Sequence, residues 1–151
     1  MAKLIVPELQ ELNYRKKWLE NANTMAFHHG IIPFPKEEWK DFYHDWVEEP
    51  EDRYFAYIYC GGCEDFTGMV SYRYDEAQDG YVVDVLVDKS MRREGYGTSG
   101  IELMKEVAAE NGIHRFIAPV EKGNDAAEFF EKTGFVKDRE TDRELVYILD
   151  F

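Results

Sequence analysis

An apolar run at residues 81–87 passes into a segment that carries three cations and then into a series of glycines. The cations are Lys89, Arg92 and Arg93, and the glycines stand at positions 95, 97 and 100. The apolar run predicts a buried central strand, and the glycines open a helix at about residue 97. Because the first turn of a helix carries unpaired N–H groups and a partial positive charge, this unit predicts an anion site, with phosphate as the expected anion.

The same segment admits other interpretations. Its glycines could form only a tight helix entry beside solvated charges. A P-loop is excluded, because no Gly-Lys-Ser/Thr sequence follows. The spacing Gly95-x-Gly97-x-x-Gly100 also matches the dinucleotide fingerprint of Rossmann proteins, with Glu121 about 20 residues further on. Against a dinucleotide-binding protein (NAD or FAD type), Gly95 lies eight positions after Val87, and the remaining chain has room for only half of a doubly wound fold.

Hairpin and helix signals along the rest of the chain predict an α/β (α+β) fold with a mixed sheet. Gly-Gly at 61–62 and Asp-Gly at 79–80 join strands by tight turns, and the apolar spacing in 36–47 predicts an amphipathic helix. The predicted strands are residues 4–6, 54–59, 66–74, 81–87, 115–118, 135–136 and 145–149. The predicted helices are residues 8–21, 36–47, 97–110 and a short helix that Asn124 or Asp125 caps and that ends at Lys132. The order is β-α-α-β-β-β-α-β-α-β-β, and residues 1–151 are expected to form one domain.

The acidic composition and the lack of a long apolar stretch restrict the partners of the protein. The net charge is −13, which disfavours nucleic-acid binding and either serves solubility or suits a cationic small molecule. No stretch reaches the roughly 20 apolar residues of a membrane helix, and the apolar part of the N-terminus is too short for a signal peptide. We therefore expect a cytoplasmic protein with no membrane or nucleic-acid partner.

The two cysteines, Cys60 and Cys63, flank the Gly-Gly turn. A structural zinc needs four ligands and the chain has no second cysteine pair, so no metal site is expected. A redox pair would lie at a helix N-terminus, whereas this pair joins two predicted strands. The expectation is a β-turn between two thiols.

Two segments resemble the motifs of a known family. Residues 87–97 resemble motif A of the GNAT superfamily of N-acetyltransferases, V-x-P-x-x-R-G-x-G-x-G, with Lys89 in place of Pro and Arg93 in place of the first Gly. Residues 124–135 resemble the second motif of that family, N-x-x-A-x-x-F-Y-E-K-x-G-F. The predicted order of elements also matches the family fold, which implies a mixed, mostly antiparallel sheet of about seven strands with four helices.

The resemblance implies an acetyltransferase that uses acetyl-CoA. The strand at 85–87 would bond the pantetheine arm through its main chain, the N–H groups of the glycine loop would cradle the pyrophosphate, and the 124–132 helix would lie along the thiol end. The residues implied in cofactor binding are Val85, Leu86, Val87, Arg92, Arg93, Glu94, Gly95, Tyr96, Gly97, Thr98, Asn124, Phe129 and Phe130. Phe130 stands where the family often has the tyrosine that protonates the leaving thiolate, and phenylalanine cannot donate a proton. A non-catalytic acyl-CoA-binding module therefore stays an alternative.

Acetyl transfer to an amine also needs a base. Asp84 is the only charge in the apolar run and is the candidate base; the alternatives are a structural carboxylate or a carboxylate on a solvent-exposed strand face. His28 and His29 lie in the loop that lines the acceptor pocket in this family, and Tyr72 and Tyr74 could supply hydroxyl groups to the acceptor.

The acceptor that the resemblance implies is a small-molecule or protein amine. The acidic segment 37–52 favours a cationic one. Since pairs of subunits are common for such folds, a homodimer is an expected assembly.

Overall fold

One seven-stranded sheet organises the structure, a computed structural model that describes residues 1–151. The strands are β1 (Ala2–Ile5), β2 (Arg53–Cys60), β3 (Asp65–Asp75), β4 (Gly80–Val87), β5 (Arg115–Glu121), β6 (Val136–Glu140) and β7 (Glu144–Asp150). Their order in the sheet is β1-β2-β3-β4-β5-β7-β6, and every neighbouring pair is antiparallel except β4 and β5. The predicted mixed, mostly antiparallel sheet is confirmed. A single parallel pair does not make the doubly wound parallel sheet that a Rossmann protein requires, so the dinucleotide interpretation is wrong.

Four helices connect the strands, as predicted. They are α1 (Leu12–Leu19), α2 (Trp39–Tyr43), α3 (Tyr96–Glu110) and α4 (Ala126–Lys132). Short 3₁₀ turns precede α1 and α2, a third covers Lys89–Met91, and a π-helical turn, His44–Glu48, continues α2. None of the helices is long and apolar enough to cross a membrane.

Both faces of the sheet are covered, and two apolar clusters fill the spaces. One cluster packs between the sheet and α3 and α4, with Ile58, Val70 and Met104 among its fully buried members. The other packs under α1 and α2 and includes Trp18 and Tyr57. The period-2 alternation of the strands explains the division, since successive side chains of one strand point to opposite faces.

The parallel pair β4–β5 opens into a wedge. Pairing between these strands is confined to Tyr81 with Phe116 and Val82 with Ile117. Beyond these pairs β4 stays paired with β3 and β5 stays paired with β7, so the second halves of the two strands diverge. The wedge leaves one edge of β4 without a strand partner in the middle of the sheet.

The turn at residues 60–63 corrects one expectation. Cys60 and Cys63 form a disulfide, and no cysteine is free. The Gly-Gly turn brings the two Cα atoms to 5.5 Å, which is within the usual range for a disulfide. The prediction of a turn holds, whereas the prediction of two thiols is wrong in this structure.

Candidate functional site

A cleft of about 720 Å³ begins at the β4–β5 wedge and extends to the start of α3. Its walls come from β4, the glycine loop, the loop between α1 and α2, and α4. Most of the predicted site residues line it: Asp84, Val85, Leu86, Val87, Arg92, Arg93, Gly95, Tyr96, Gly97, Thr98, Asn124, Phe129, Phe130, His28 and His29. Three predicted residues, Glu94, Tyr72 and Tyr74, do not line it.

The main-chain N–H groups of residues 92–98 are unpaired. None of them donates to an acceptor in the chain, and the first bonded amide of α3 is that of Ser99, which donates to the Gly95 carbonyl oxygen at 3.0 Å. Arg93 and Gly95 adopt left-handed conformations, with φ of 67° and 84°. These two reversals bend the chain around a short loop, and loops of this kind direct successive N–H groups at a common anion.

The Arg92 side chain holds the loop in place. Its Nη2 donates to the Thr24 carbonyl oxygen at 2.6 Å, and its Nε donates to the Val87 carbonyl oxygen at 3.3 Å. Burial lowers the pKa of Arg92, and its Nη1 is buried with no partner in the chain. The guanidinium thus ties the α1–α2 loop to the end of β4. The exposed Arg93 side chain forms no ion pair and is the cation that a phosphate could reach.

Asp88 anchors the start of the same segment, and sequence reasoning missed it. Its carboxylate accepts hydrogen bonds from Trp18 Nε1 at 3.0 Å and from the Ser90 N–H at 2.9 Å. Burial opposes ionisation of Asp88, but the hydrogen bonds from Ser90 and Trp18 outweigh it and lower the pKa of this carboxyl group. The Asp-x-Ser spacing is a turn signal that could have found it.

Asn124 and Gly97 bring α4 to the cleft. The Asn124 side chain accepts a hydrogen bond from the Ala126 N–H at 2.8 Å and donates to the Phe27 carbonyl oxygen at 2.9 Å, so it joins the start of α4 to the α1–α2 loop. A Cβ atom at Gly97 would lie 2.8 Å from Phe129 Cε1. Glycine at this position therefore allows the N-terminus of α3 to contact the Phe129 ring.

Asp84 lies at the wedge, and its side chain is exposed to the cleft. The exposure agrees with the alternative of a solvent-exposed strand face, because the divergence of β5 leaves this part of β4 open to solvent. The position of Asp84 beside the wedge also keeps it a candidate base.

The two histidines of the α1–α2 loop differ in environment. Burial lowers the pKa of His28 below its usual 6.5, although the negative charge of Asp84 opposes the shift. His28 is therefore neutral at pH 7. His29 is exposed, and its Nδ1 lies 3.6 Å from a carboxylate oxygen of Glu121.

Tyr72 and Tyr74 point away from the cleft, which corrects their predicted role. Tyr72 is buried in the cluster under α3, where its hydroxyl accepts a hydrogen bond from Asn111 Nδ2 at 3.4 Å. The Tyr74 hydroxyl donates to Asp79 Oδ1 at 2.7 Å. Since side chains alternate along β3, it is Met69 that lines the cleft from this strand.

The acidic segment that suggested a cationic acceptor also lies elsewhere. None of the acidic side chains of residues 37–52 lines the cleft. The carboxylates that line it are those of Asp84, Glu121 and Asp125. A second, smaller pocket of about 380 Å³ adjoins the cleft on the α1–α2 side of the sheet, and the two share Arg15 and Asp84.

The sheet order, the wedge and the glycine loop at the start of α3 are found together in a family of acetyltransferases. A sequence model of the acetyltransferase (GNAT) family matches residues 12–135, and the protein belongs to this family. A comparison with curated proteins finds no match.

Solved structures share the fold at low sequence identity. A GNAT-family acetyltransferase from Bacillus anthracis superposes with a TM-score of 0.79 at 14% identity, over 99% of this chain and 94% of that chain. A spermidine N-acetyltransferase from Vibrio cholerae in complex with CoA and spermine gives 0.78 at 13% identity, over 99% and 95%. An N-acetyltransferase from Thermoplasma acidophilum in complex with coenzyme A gives 0.71 at 10% identity, over 100% and 99%.

Proposed function

We propose that the protein is an N-acetyltransferase that moves an acetyl group from acetyl-CoA to an amine by direct attack, with both substrates bound at once. The observation that carries the proposal is the run of unpaired N–H groups at residues 92–98, which opens into a cleft that reaches the β4–β5 wedge. Family membership and solved relatives that contain CoA support it. Residues 1–151 would act as one catalytic domain.

The residues of the cleft fit coenzyme A along its length. The unpaired N–H groups and the free Arg93 side chain suit the pyrophosphate. The buried Arg92 Nη1, which has no partner in the chain, adds one more donor beside them. The Phe129 ring offers an apolar surface to the arm.

The open edge of β4 suits the pantetheine arm. The Asp88 N–H donates to the Thr67 carbonyl oxygen, toward β3. Because main-chain groups alternate in direction along a strand and the β3–β4 register is unbroken, the N–H and C=O groups of Val85, beyond the last pair with β5, face the open wedge. They are the groups that can bond the amides of the arm and polarise a thioester carbonyl.

The chemistry that acetyl-CoA supplies when bound is an acetyl thioester. The protein holds the amine beside it, which is most of the catalysis that direct attack needs. The C–N bond forms as the C–S bond breaks, and Asp84 takes the proton that the nitrogen loses. Phe130 has no hydroxyl group, so the proton that balances the thiolate comes from solvent.

Thiol release tests the proposal. The protein is mixed with acetyl-CoA and a panel of amines, and free thiol is detected. We expect release with at least one amine, and a fall in kcat of about 100-fold or more for Asp84→Asn, since general base catalysis contributes at least this factor. Asp142→Asn is the matched control, because this exposed carboxylate lies in the turn before β7 and forms no ion pair.

The Phe at position 130 favours one other function, a non-catalytic acyl-CoA-binding module. Binding of acetyl-CoA with no thiol release for any amine would establish that alternative. Equal activity of the Asp84→Asn variant would leave the transferase in place and remove Asp84 as the base.

A further inference from the structure

Arg15 carries a guanidinium group that packs against two aromatic rings at the junction of the cleft and the adjoining pocket. It lies on α1, and its Cζ atom is 4.4 Å from the ring centroid of Phe34 and 4.0 Å from that of Phe42. It lines both the cleft and the 380 Å³ pocket. The two rings therefore hold the guanidinium at this junction by cation–π contacts.

This guanidinium has no partner in the chain. The main-chain N–H of Arg15 donates to the Tyr57 hydroxyl at 3.1 Å, but the side chain donates no hydrogen bond, forms no ion pair, and keeps its Nε buried and unpaired. Burial lowers the pKa of Arg15 to about 10, and the negative charge of Asp84 opposes this shift, so the group stays charged at pH 7. Arg15 is half-buried, and a partly desolvated charge with no counter-ion in the chain gains stability when an anionic ligand pairs with it.

The pocket contains one other cation and two carboxylates. Arg73 forms an ion pair with Asp75, whose Oδ2 lies 3.2 Å from Arg73 Nη1. Asp84 and Glu144 supply two carboxylates. The pocket thus presents one free cation at the junction and carboxylates beside it.

Apart from Ser71, the remaining walls of the pocket are apolar. Phe42 and Trp46 come from α2 and its continuation, and Phe55 comes from β2. Since these rings face the same space as Arg15 and Asp84, the pocket suits a molecule with both charges and an apolar group.

We infer that the acceptor is an amino acid with an apolar side chain, and that Arg15 binds its carboxylate while its amine lies toward Asp84. The planar fork of a guanidinium matches the two oxygens of a carboxylate. A phosphate carries more negative charge, which Asp84 and Glu144 would repel with only one free cation to offset it. This inference rests on the proposed acetyltransferase function and makes Arg15 a specificity-determining residue.

The first test uses the wild-type protein and acceptors that differ only in the carboxylate. Phenylalanine is compared with 2-phenylethylamine and phenylalanine methyl ester, and leucine with isoamylamine and leucine methyl ester. We expect kcat/KM for each amino acid to exceed that for both analogues by about 10- to 100-fold, the range for one charged hydrogen-bonding contact. The amine of the ester is less basic than that of the amino acid, so a larger fraction of it is neutral. A preference for the amino acid over the ester therefore cannot come from the fraction of neutral amine. Equal or better use of the amines and esters overturns the inference and leaves the transferase intact.

The second test removes the guanidinium. Arg15→Met should abolish the preference for the carboxylate, whereas Lys40→Met, which removes an exposed charge from α2, should keep it. Binding of phenylalanine in the presence of coenzyme A, measured by calorimetry, should weaken by a similar factor in Arg15→Met alone. An unchanged preference in Arg15→Met overturns the inference; if that variant does not fold, the wild-type comparison decides. If none of the amines or amino acids gives thiol release, the proposed function is overturned, and this inference with it.

Discussion

Gly95 adopts a φ of 84° one residue before α3, and a Cβ atom at this position would meet nothing within 4 Å. Alanine therefore fits the space but not the backbone conformation. A left-handed conformation costs an L-residue about 1–2 kcal/mol relative to glycine. The Gly95→Ala substitution adds this strain to the loop without a steric clash.

The strain lowers either the free energy of unfolding or the affinity for CoA, and both can be measured. If the free protein keeps the left-handed loop, Gly95→Ala lowers the free energy of unfolding by about 1–2 kcal/mol and leaves CoA affinity unchanged. If the free loop relaxes, unfolding is unchanged, and CoA must restore the conformation. The Kd for CoA then rises by about 5- to 30-fold. In saturating CoA the total loss of stability is about 1–2 kcal/mol in both cases, because the bound state requires the left-handed loop.

The assay combines urea unfolding, with and without CoA, and calorimetric titration with CoA and with pantetheine. Pantetheine lacks the pyrophosphate, so its affinity should not change. Gly112→Ala is the matched control, since Gly112 has a φ of 78° and open space around it but follows the far end of α3. That variant should lose stability by a similar amount and bind CoA as the wild type does.

Two outcomes would show that the left-handed conformation of Gly95 does not serve pyrophosphate binding. One is a total loss in saturating CoA indistinguishable from zero, which would mean that the bound loop does not need the observed conformation. The other is an equal loss of affinity for CoA and pantetheine, which would place the effect of Gly95 away from the pyrophosphate.

Three further variants test the loop, the core and the titration of the site. Arg93→Gly should raise the free energy of unfolding by less than about 1 kcal/mol, because relief of the backbone strain at a φ of 67° outweighs the added entropy of the unfolded chain. Calorimetry should show weaker CoA binding by the same variant. A loss of stability would contradict this. Gly100→Ala should lower the free energy of unfolding in urea by about 1–2 kcal/mol, since its Cβ would lie 2.8 Å from Val70 Cγ1 and 2.9 Å from Ile58 Cδ1. The cost of this overpacking exceeds the gain in helix propensity. A more stable variant would show that the core side chains move to make room. His28 has a folded pKa below 6.5, so the unfolded state binds more protons and stability falls as the pH drops through 6.5. The slope of unfolding free energy against pH should be shallower in His28→Asn, and identical slopes would contradict the lowered pKa of His28 in the folded protein.

The sequence predicts the main elements of this fold because their signals are local. The run of apolar residues in β4 and the glycines at the start of α3 define a strand–loop–helix unit wherever they occur. The strand β6 is the contrary case. The prediction reached only residues 135–136, whereas Val136–Glu140 is an exposed edge strand of mostly charged residues, and such a strand has no hydrophobic pattern to detect.

The candidate site is less accessible to sequence reasoning, because it depends on which side chains meet across the fold. The motif includes Arg92 among the phosphate-binding residues, but its guanidinium bonds Thr24 and Val87, which no local pattern places beside it. Alternation along β3 shows that Tyr72 and Tyr74 share a face without showing which face it is. Arg15 is one of three adjacent cations on α1, and only the packing of Phe34 and Phe42 against it distinguishes it.

Binding of the pyrophosphate by the unpaired N–H groups of residues 92–98 can be observed directly at each amide. The labelled protein is titrated with coenzyme A and followed in nitrogen–proton correlation spectra. We expect these amide signals to move downfield on addition of CoA and to move much less on addition of pantetheine. Unchanged signals at residues 92–98, with saturable shifts elsewhere, would contradict it.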